Sequence, residues 1–436
     1  MSPRTRTLPR DDSGCGWIAL LPPPPPARPL VAEERADCVI VGAGFTGLAA
    51  ARRLSAHYPE WRVLLLDAQR AGFGASARNS GFLVDIGHYR PKLGVEGNRR
   101  VVRLARAGID ELRGLVAAHG IDCAWTERGR LHGAVGDVGR RGLDALCAGL
   151  AAMGEPHEQL DAAAVAAETG GTGWGAAVRT PGAVMVQPAA LARGLAAALP
   201  AGVDLREDSP VTAIHRGTQI RVEAGHGRVR TPRLVLATDG FTPAVGFLRH
   251  RLFPLLTFGS LTRPLTTAER TALGGAPEWG LVPEEPFGST VRRTRDQRIL
   301  VRNTVVYSAH LGADEARLRR ARENHRRTLR ARFPLLGSLD FEYTWGGVLG
   351  MSLNEAQFFG RIEDGVWAAA GYNGVGVAMG TVSGRLLADL IVGADSSLLA
   401  DLRVLPEPAW IPPEPLLGLG VRFETARRQA RAVEEL

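Results

Sequence analysis

Lysine is almost missing from this chain: Lys92 is the only one among 436 residues, so the basic side chains are nearly all arginine. Those arginines give a formal charge of +8, but they are spread along the chain and form no basic block. Nucleic acid is therefore not expected as a partner. Cysteine is also scarce. Cys15, Cys38, Cys123 and Cys147 form no CxxC pair, so neither a metal site nor a disulfide framework is expected, and a reducing cytoplasm fits. No apolar run approaches the roughly 20 residues that span a bilayer. The short run Trp17–Leu21 leads into five prolines without a small-residue cleavage site, so no signal peptide is expected either. Residues 1–35 are rich in Pro and Arg with little to bury, and a disordered extension is expected there. The remaining composition, 45% apolar and 22% charged, is that of an ordinary globular chain long enough for two or three domains.

Order is expected from Ala36. Asp37-Cys-Val-Ile-Val41 is a continuous apolar run of the kind buried on both faces of a sheet. It enters Gly42-Ala-Gly44-Phe-Thr-Gly47, then a helical stretch through Leu54, then a second apolar strand, Arg62–Leu66, ending at Asp67. Each position has a physical task. Gly42 permits a tight turn, Gly44 lets the backbone approach a pyrophosphate, and Gly47 with Ala51 keeps the helix close to the sheet. The helix start at Phe45 and Thr46 offers unpaired N–H groups and a positive dipole end to phosphates. Asp67, 20 residues beyond Gly47, is spaced to accept from ribose hydroxyls. Strand, turn, helix, strand and acid in this order predict a Rossmann-like dinucleotide unit, without separating FAD from NAD.

Two further segments narrow the cofactor. Gly72-Phe-Gly-Ala-Ser-Ala-Arg-Asn-Ser-Gly81 is a small-residue loop in which Ser76 and Asn79 offer hydrogen bonds and Arg78 a positive charge. Val366-Trp-Ala-Ala-Ala-Gly-Tyr-Asn-Gly-Val-Gly-Val377 reads as a strand, a glycine turn and the start of a helix running to about Val392. In these segments the chain resembles FAD-dependent amine and amino-acid oxidases of the D-amino-acid oxidase superfamily, in the branch of gamma-glutamylputrescine, glycine and sarcosine oxidases. Ser76, Arg78, Asn79 and Gly81 match the family loop GxGASxRNxG, and residues 371–377 match GYxGxGV. The resemblance spans residues 36–395 and is loosest in the middle. It implies bound FAD, with the loop from Ala75 through Ser80 and Gly81 around the pyrophosphate and ribityl chain and the Val211 backbone at the adenine. Gly371, Gly374, Val375, Gly376 and Val377 would then bring a helix N-terminus toward flavin N1 and the C2 carbonyl.

The departures carry information too. Segment 352–360 lacks the Asp and Pro frequent in relatives, and Val375 stands where they often carry His or Arg. Lys92, in the first-domain loop region, leaves no lysine for the flavin side, so slow reaction with O2 is expected. No cysteine follows Cys147, which excludes the C-terminal cysteinyl link of some relatives, and non-covalent FAD is expected.

The fold expected is α/β (α+β overall): a Rossmann-like FAD-binding domain with a discontinuous, antiparallel-sheet substrate domain. The FAD domain is assigned to residues 36–90, 180–245 and 345–395, the substrate or cap domain to 91–179 and 246–344, and a tail with an amphipathic helix to 396–436. Phe253–Thr262 and Arg298–Tyr307 read as strands. Asp314–Arg332 reads as an Arg-rich helix burying Leu318 and Leu329, with Phe333 just beyond it. Candidate substrate residues are Arg302, which could hold a carboxylate or lie on a surface strand, and Tyr307, Trp345, Tyr372 and Asn373 as walls. His88 and Tyr89 lie near enough to reach the site. The function expected is oxidation of the C–N bond of an amine or amino acid, with hydride passing to flavin N5 and the imine then hydrolysed. The electron acceptor is O2 or a carrier. The alternatives are a dehydrogenase using a quinone or carrier, and a flavin-binding protein without turnover.

Overall fold

The structure is a computed structural model describing Thr5, residues 7–9 and residues 14–436. Cys38–Val41 lies inside a six-stranded sheet. The order is Phe358–Glu363, Val366–Ala370, Leu234–Leu236, Cys38–Val41, Val63–Leu66, Val203–Arg206. All pairings are parallel except that of the edge strand Phe358–Glu363. The central strands are unbroken apolar runs because both faces are covered. On one face, helices Phe45–His57, Gly94–His119, Pro188–Ala197 and Ala378–Val392 share a core with the sheet through Leu104, Ile109, Leu191 and Leu386. On the other, a four-stranded sheet (Glu33–Arg35, Gly227–Thr231, Ile220–Ala224, Val211–His215) packs Val222 and Val229 against Leu64 and Leu66. From Cys38–Val41 the chain moves to Val63–Leu66 on one side, while Leu234–Leu236 returns on the other. A crevice therefore opens at the carboxyl end of Cys38–Val41, the topological switch point.

The second unit is an eight-stranded sheet. Its order is Phe341–Met351, Phe253–Thr262, Ile299–Tyr307, Thr290–Arg293, Trp279–Pro283, Arg130–Ala134, Ala176–Thr180, Glu158–Asp161. It is antiparallel except for the pairing of Trp279–Pro283 with Arg130–Ala134. The α/β and α+β architecture thus follows the sequence pattern. Among the described residues no helix is long and apolar enough to cross a membrane.

Several expectations need correction. Residues 1–4, 6 and 10–13 of the expected disordered extension lie outside the described residues, but from Gly14 the extension is packed. Cys15, Trp17 and Leu30 are buried, and Glu33–Arg35 adds a parallel strand to Gly227–Thr231. Proline-rich composition hid a few well-spaced anchors. Helix Gly94–His119, assigned to the cap, joins the core of the six-stranded sheet, because Leu104, Ile109 and Leu112 face it. Strand Phe341–Met351 belongs to the large sheet, so the boundary at residue 345 is misplaced. In helix Glu315–Arg332 the buried face is Ala321, His325, Thr328 and Leu329, with Leu318 only partly covered. The reason is a polar seam: Ser260 Oγ pairs with His325 Nδ1 at 2.7 Å, and Thr328 with Ser289 at 3.1 Å. Burial drives the His325 pKa down to about 3, so its ring is neutral there. The tail forms helix Leu416–Arg431. Glu435 then accepts from the N–H groups of Val135, Gly136 and Gly139 at the start of helix Asp137–Met153.

The closest approach in the Rossmann unit is at Gly47, where a Cβ would fall on the Gly42 carbonyl oxygen. Gly47→Ala must lift the helix from the sheet, at about 1–3 kcal/mol or more for such overpacking. The expected result is a melting temperature several degrees lower and a preparation with reduced flavin absorbance per protein.

Candidate active site

A cavity of about 680 Å³ runs from the switch-point crevice to the inner face of the large sheet. Its volume lies in the usual range of about 300–1,000 Å³ for ligand and cofactor sites. One end is built by the first glycine turn. Gly42 has φ +104°, and a Cβ there would sit 2.5 Å from the Ala237 carbonyl oxygen. Helix Phe45–His57 begins at Gly44 with no capping side chain of its own, although Ser76 Oγ accepts from Phe45 N at 3.2 Å. A Cβ on Gly44 would sit 2.6 Å from that hydroxyl. The Asp67 carboxylate accepts from Ala43 N at 2.7 Å and Gln69 N at 2.8 Å. Burial raises its pKa to about 6 against those two donors. Gly42, Gly44, Phe45, Thr46 and Asp67 line the cavity, whereas Gly47 faces the sheet.

The loop lies alongside. Ala75, Ser76, Arg78, Asn79 and Ser80 line the cavity, while Gly81, at φ +79°, does not. Val211 lines it further along, and its carbonyl accepts from the Thr5 hydroxyl at 2.6 Å.

The other turn comes from the C-terminal half. Gly371 has φ +82°, Asn373 φ +53° and Gly374 φ +93°. Gly374, Val375, Gly376 and Val377 line the cavity, and Gly371 lies behind them. Helix Ala378–Val392 starts there, again with no side-chain cap, so its first N–H groups are not spent on a neighbouring side chain. Two helix starts on one cavity suit a ligand with anionic or electron-rich groups.

Sequence reasoning missed Asp239, which holds this turn. Its Oδ1 accepts from Gly371 N at 2.7 Å and Tyr372 N at 3.4 Å, and its Oδ2 from Gly350 N at 3.0 Å. One carboxylate thereby ties the turn to strand Phe341–Met351. A non-glycine φ of +41° was the feature to look for, and a sequence does not display it.

The candidate substrate residues divide. Arg302 lines the cavity and makes no hydrogen bond or ion pair among the described residues, and burial lowers its pKa to about 10, leaving it charged at neutral pH. Asn373 lines it too, but its side chain bridges Gly371 O at 2.6 Å and Ser352 N at 2.9 Å. Tyr372 touches the cavity, yet its hydroxyl shares a 2.8 Å bond with Thr46, and burial pushes its pKa above the usual phenol range. Trp345 touches it as well, with its indole N–H given to Arg78 O at 3.0 Å. Tyr307 does not line the cavity: it packs on Ile411 and donates to Glu414 of the tail. His88 and Tyr89 do reach the wall, with His88 3.2 Å from Glu284. The tail helix, given no role by sequence, adds Val421, Glu424, Thr425 and Arg428 to the lining.

Asp239→Ala leaves three backbone donors unpaired, and each hydrogen bond to a charged group is worth about 1.5–3 kcal/mol. The variant is expected to melt several degrees lower and to reduce its flavin more slowly, with FAD still bound. Asp239→Asn, keeping one acceptor oxygen, is expected to fall between it and the wild type.

Residues 37–390 match the family model described as DAO, FAD dependent oxidoreductase. The chain is 29% identical to gamma-glutamylputrescine oxidoreductase of Escherichia coli, across 82% of this chain and 84% of that protein. It is 26% identical to probable oxidoreductase OrdL of Haemophilus influenzae, across 85% of this chain and 86% of that one. Its fold is similar to that of glycine oxidase from Geobacillus kaustophilus, with a TM-score of 0.70, 21% identity, and coverage of 84% of this chain and 96% of the other. The chain belongs to the DAO family and is an FAD-dependent oxidoreductase.

Proposed function

We propose that the substrate is an amine bearing a carboxylate, an amino acid or a close analogue, oxidised at the carbon next to nitrogen. The observation that carries this reading is Arg302, a half-buried guanidinium on the cavity wall with no hydrogen bond or ion pair among the described residues. A partly desolvated cation without a partner is costly, and the fork of a guanidinium fits a carboxylate with two parallel hydrogen bonds. Gly259 is opposite Arg302 in the neighbouring strand, and the Trp345 ring packs over it. Relatives named for gamma-glutamylputrescine and for D-amino acids support the same substrate class.

In this reading Gly42, Gly44, Phe45, Thr46 and Asp67 hold the ADP half of FAD, with Ala75 to Ser80 along the pyrophosphate and Val211 at the adenine. Gly374 to Val377 lie against the ring. Bound FAD supplies a two-electron acceptor that takes a hydride at N5. The chain's residues do the rest. Arg302 fixes the carboxylate and so orients the carbon–hydrogen bond. Its charge also disfavours protonation of a nearby amine, keeping the nitrogen lone pair available as the C=N bond forms. Phe253, Leu255 and Val305 line the same space and limit water. The product imine is hydrolysed. Non-covalent attachment is part of the reading, supported by four cysteines that all lie off the cavity lining. Those unpaired thiols also support a cytoplasmic setting.

A carrier as electron acceptor is the second reading for the oxidative half. Lys92 is exposed and absent from the cavity lining, so no lysine assists O2.

The direct test is anaerobic mixing of the yellow protein with a panel of amines, amino acids and α-hydroxy acids. Amino acids are expected to bleach the flavin, and bleaching by hydroxy acids alone would overturn the reading. Arg302→Met is expected to keep FAD while weakening amino-acid binding at least 100-fold, about 3 kcal/mol for a charge-assisted pair. Simple amines without a carboxylate should lose far less. Turnover with a dye acceptor is expected to exceed turnover with O2 at saturating substrate, and equal rates would argue for an oxidase.

A further inference from the structure

The family match begins at residue 37, yet the chain ahead of it is packed on the cofactor cleft. We propose that Thr5, residues 7–9 and residues 14–30 are a cofactor clasp, which through Trp17 helps to turn the carbonyls of the Gly72–Gly81 loop away from the FAD pyrophosphate and closes the adenine end of the cleft. The inference rests on the reading that this loop holds the pyrophosphate.

Four successive carbonyls of the loop are taken by side chains from outside it. Arg78 O accepts from Trp345 Nε1 at 3.0 Å and Asn79 O from Trp17 Nε1 at 2.9 Å. Ser80 O and Gly81 O accept from Arg292 at 3.3 and 3.1 Å. A carbonyl oxygen aimed at a phosphate repels it, and in a poorly solvated cleft that repulsion is strong. A loop that holds an anion must therefore direct its carbonyls elsewhere and leave N–H groups for the ligand. Of the three donors, Trp17 alone comes from outside the family span. It is held firmly: 2% exposed, edge-on to Trp345 at 6.3 Å, beneath the Arg292 guanidinium at 5.7 Å, with its own carbonyl accepting from Gln187 Nε2 at 2.6 Å.

The rest of the segment runs along the ADP side. Pro22 O accepts from Arg193 at 2.8 Å, Pro25 O from Arg70, and Leu30 N donates to Ser209 Oγ at 2.8 Å. At the far end Thr5 N donates to Thr212 O at 2.9 Å and its hydroxyl to Val211 O at 2.6 Å. Thr5, Thr7, Leu8 and Pro9 line the same cavity as Gly44 and Asp67.

The test uses the full chain and FAD alone, so failure of the amino-acid reading does not affect it. FAD affinity is measured by titrating the apoprotein, release by flavin fluorescence after dilution, and melting temperature with and without FAD. Trp17→Phe keeps the ring and removes the N–H. It is expected to raise the FAD Kd roughly five-fold, the scale of one lost hydrogen bond, with little change in apoprotein melting. A chain lacking residues 2–9 keeps Trp17 and removes the Thr5 contacts, and it is expected to release FAD several-fold faster. Equal loss of melting temperature in apoprotein and holoprotein of Trp17→Phe, at unchanged Kd, would make Trp17 a core residue and overturn its role. Wild-type release from the shortened chain would overturn closure at the adenine end.

Discussion

The contact on which the site depends is between helices Phe45–His57 and Ala378–Val392. They cross at Thr46, and the crossing is close because two glycines face it. A Cβ on Gly384 would overlap the Thr46 carbonyl oxygen, and one on Gly380 would sit 2.8 Å from the Thr46 hydroxyl. That hydroxyl is bonded to Tyr372 at 2.8 Å, in the turn that leads into the second helix. Small residues let backbones approach, and the hydroxyl pair then sets the register. The consequence is that two helix starts from opposite ends of the chain open on one cavity. Their partial positive charges add where a ligand bears negative charge.

Around this junction polarity is sorted by direction. Backbone carbonyls near the loop are drawn outward by Trp17, Trp345 and Arg292. Backbone N–H groups of the C-terminal turn are drawn onto Asp239, which sits behind it. Asp239 also joins the turn to strand Phe341–Met351, so the large sheet and the helix start cannot shift independently. Arg302 enters from that same sheet as a cation without a hydrogen-bond or ion-pair partner among the described residues. The cavity thus has a fixed electrostatic pattern before anything binds, which is what lets a site stabilise charge without reorganising.

The large sheet is stabilised differently from the Rossmann unit. Between its strands and helix Glu315–Arg332 runs the seam of Ser260, Asn303, His325 and Thr328, where each polar group meets another. Satisfied polar contacts of this kind define one packing arrangement more narrowly than apolar ones do. The tail then reaches across, with Gln429 on Val305 O and Glu435 on the start of helix Asp137–Met153. It covers the outer side of the cavity with residues that have no counterpart in the glycine motifs.

The local pattern of the sequence was enough for the Rossmann strands and the two glycine turns, while the choice of FAD over NAD came from the family resemblance. In those places one short stretch carries the whole physical requirement: an apolar run, then glycine where φ is positive or a backbone approaches. Arg302 was singled out by type and strand position, with a surface arginine as the alternative, and only the structure puts it on the cavity wall. Tertiary structure decided everything that depends on a distant neighbour. Trp17 reads as part of a disordered leader until Asn79 and Trp345 are beside it, and Tyr307 reads as a pocket wall until Glu414 is found against it. Helix Gly94–His119 joins the Rossmann side because Leu104, Ile109 and Leu112 share a core with Leu386, while Val102 packs toward the large sheet. Asp239 looks like a turn residue and becomes the brace of the active site only when three N–H groups, 111 to 133 positions away, converge on it. Periodicity and turn chemistry are properties of neighbours in sequence, whereas hydrogen-bond partners and packing are set by neighbours in space.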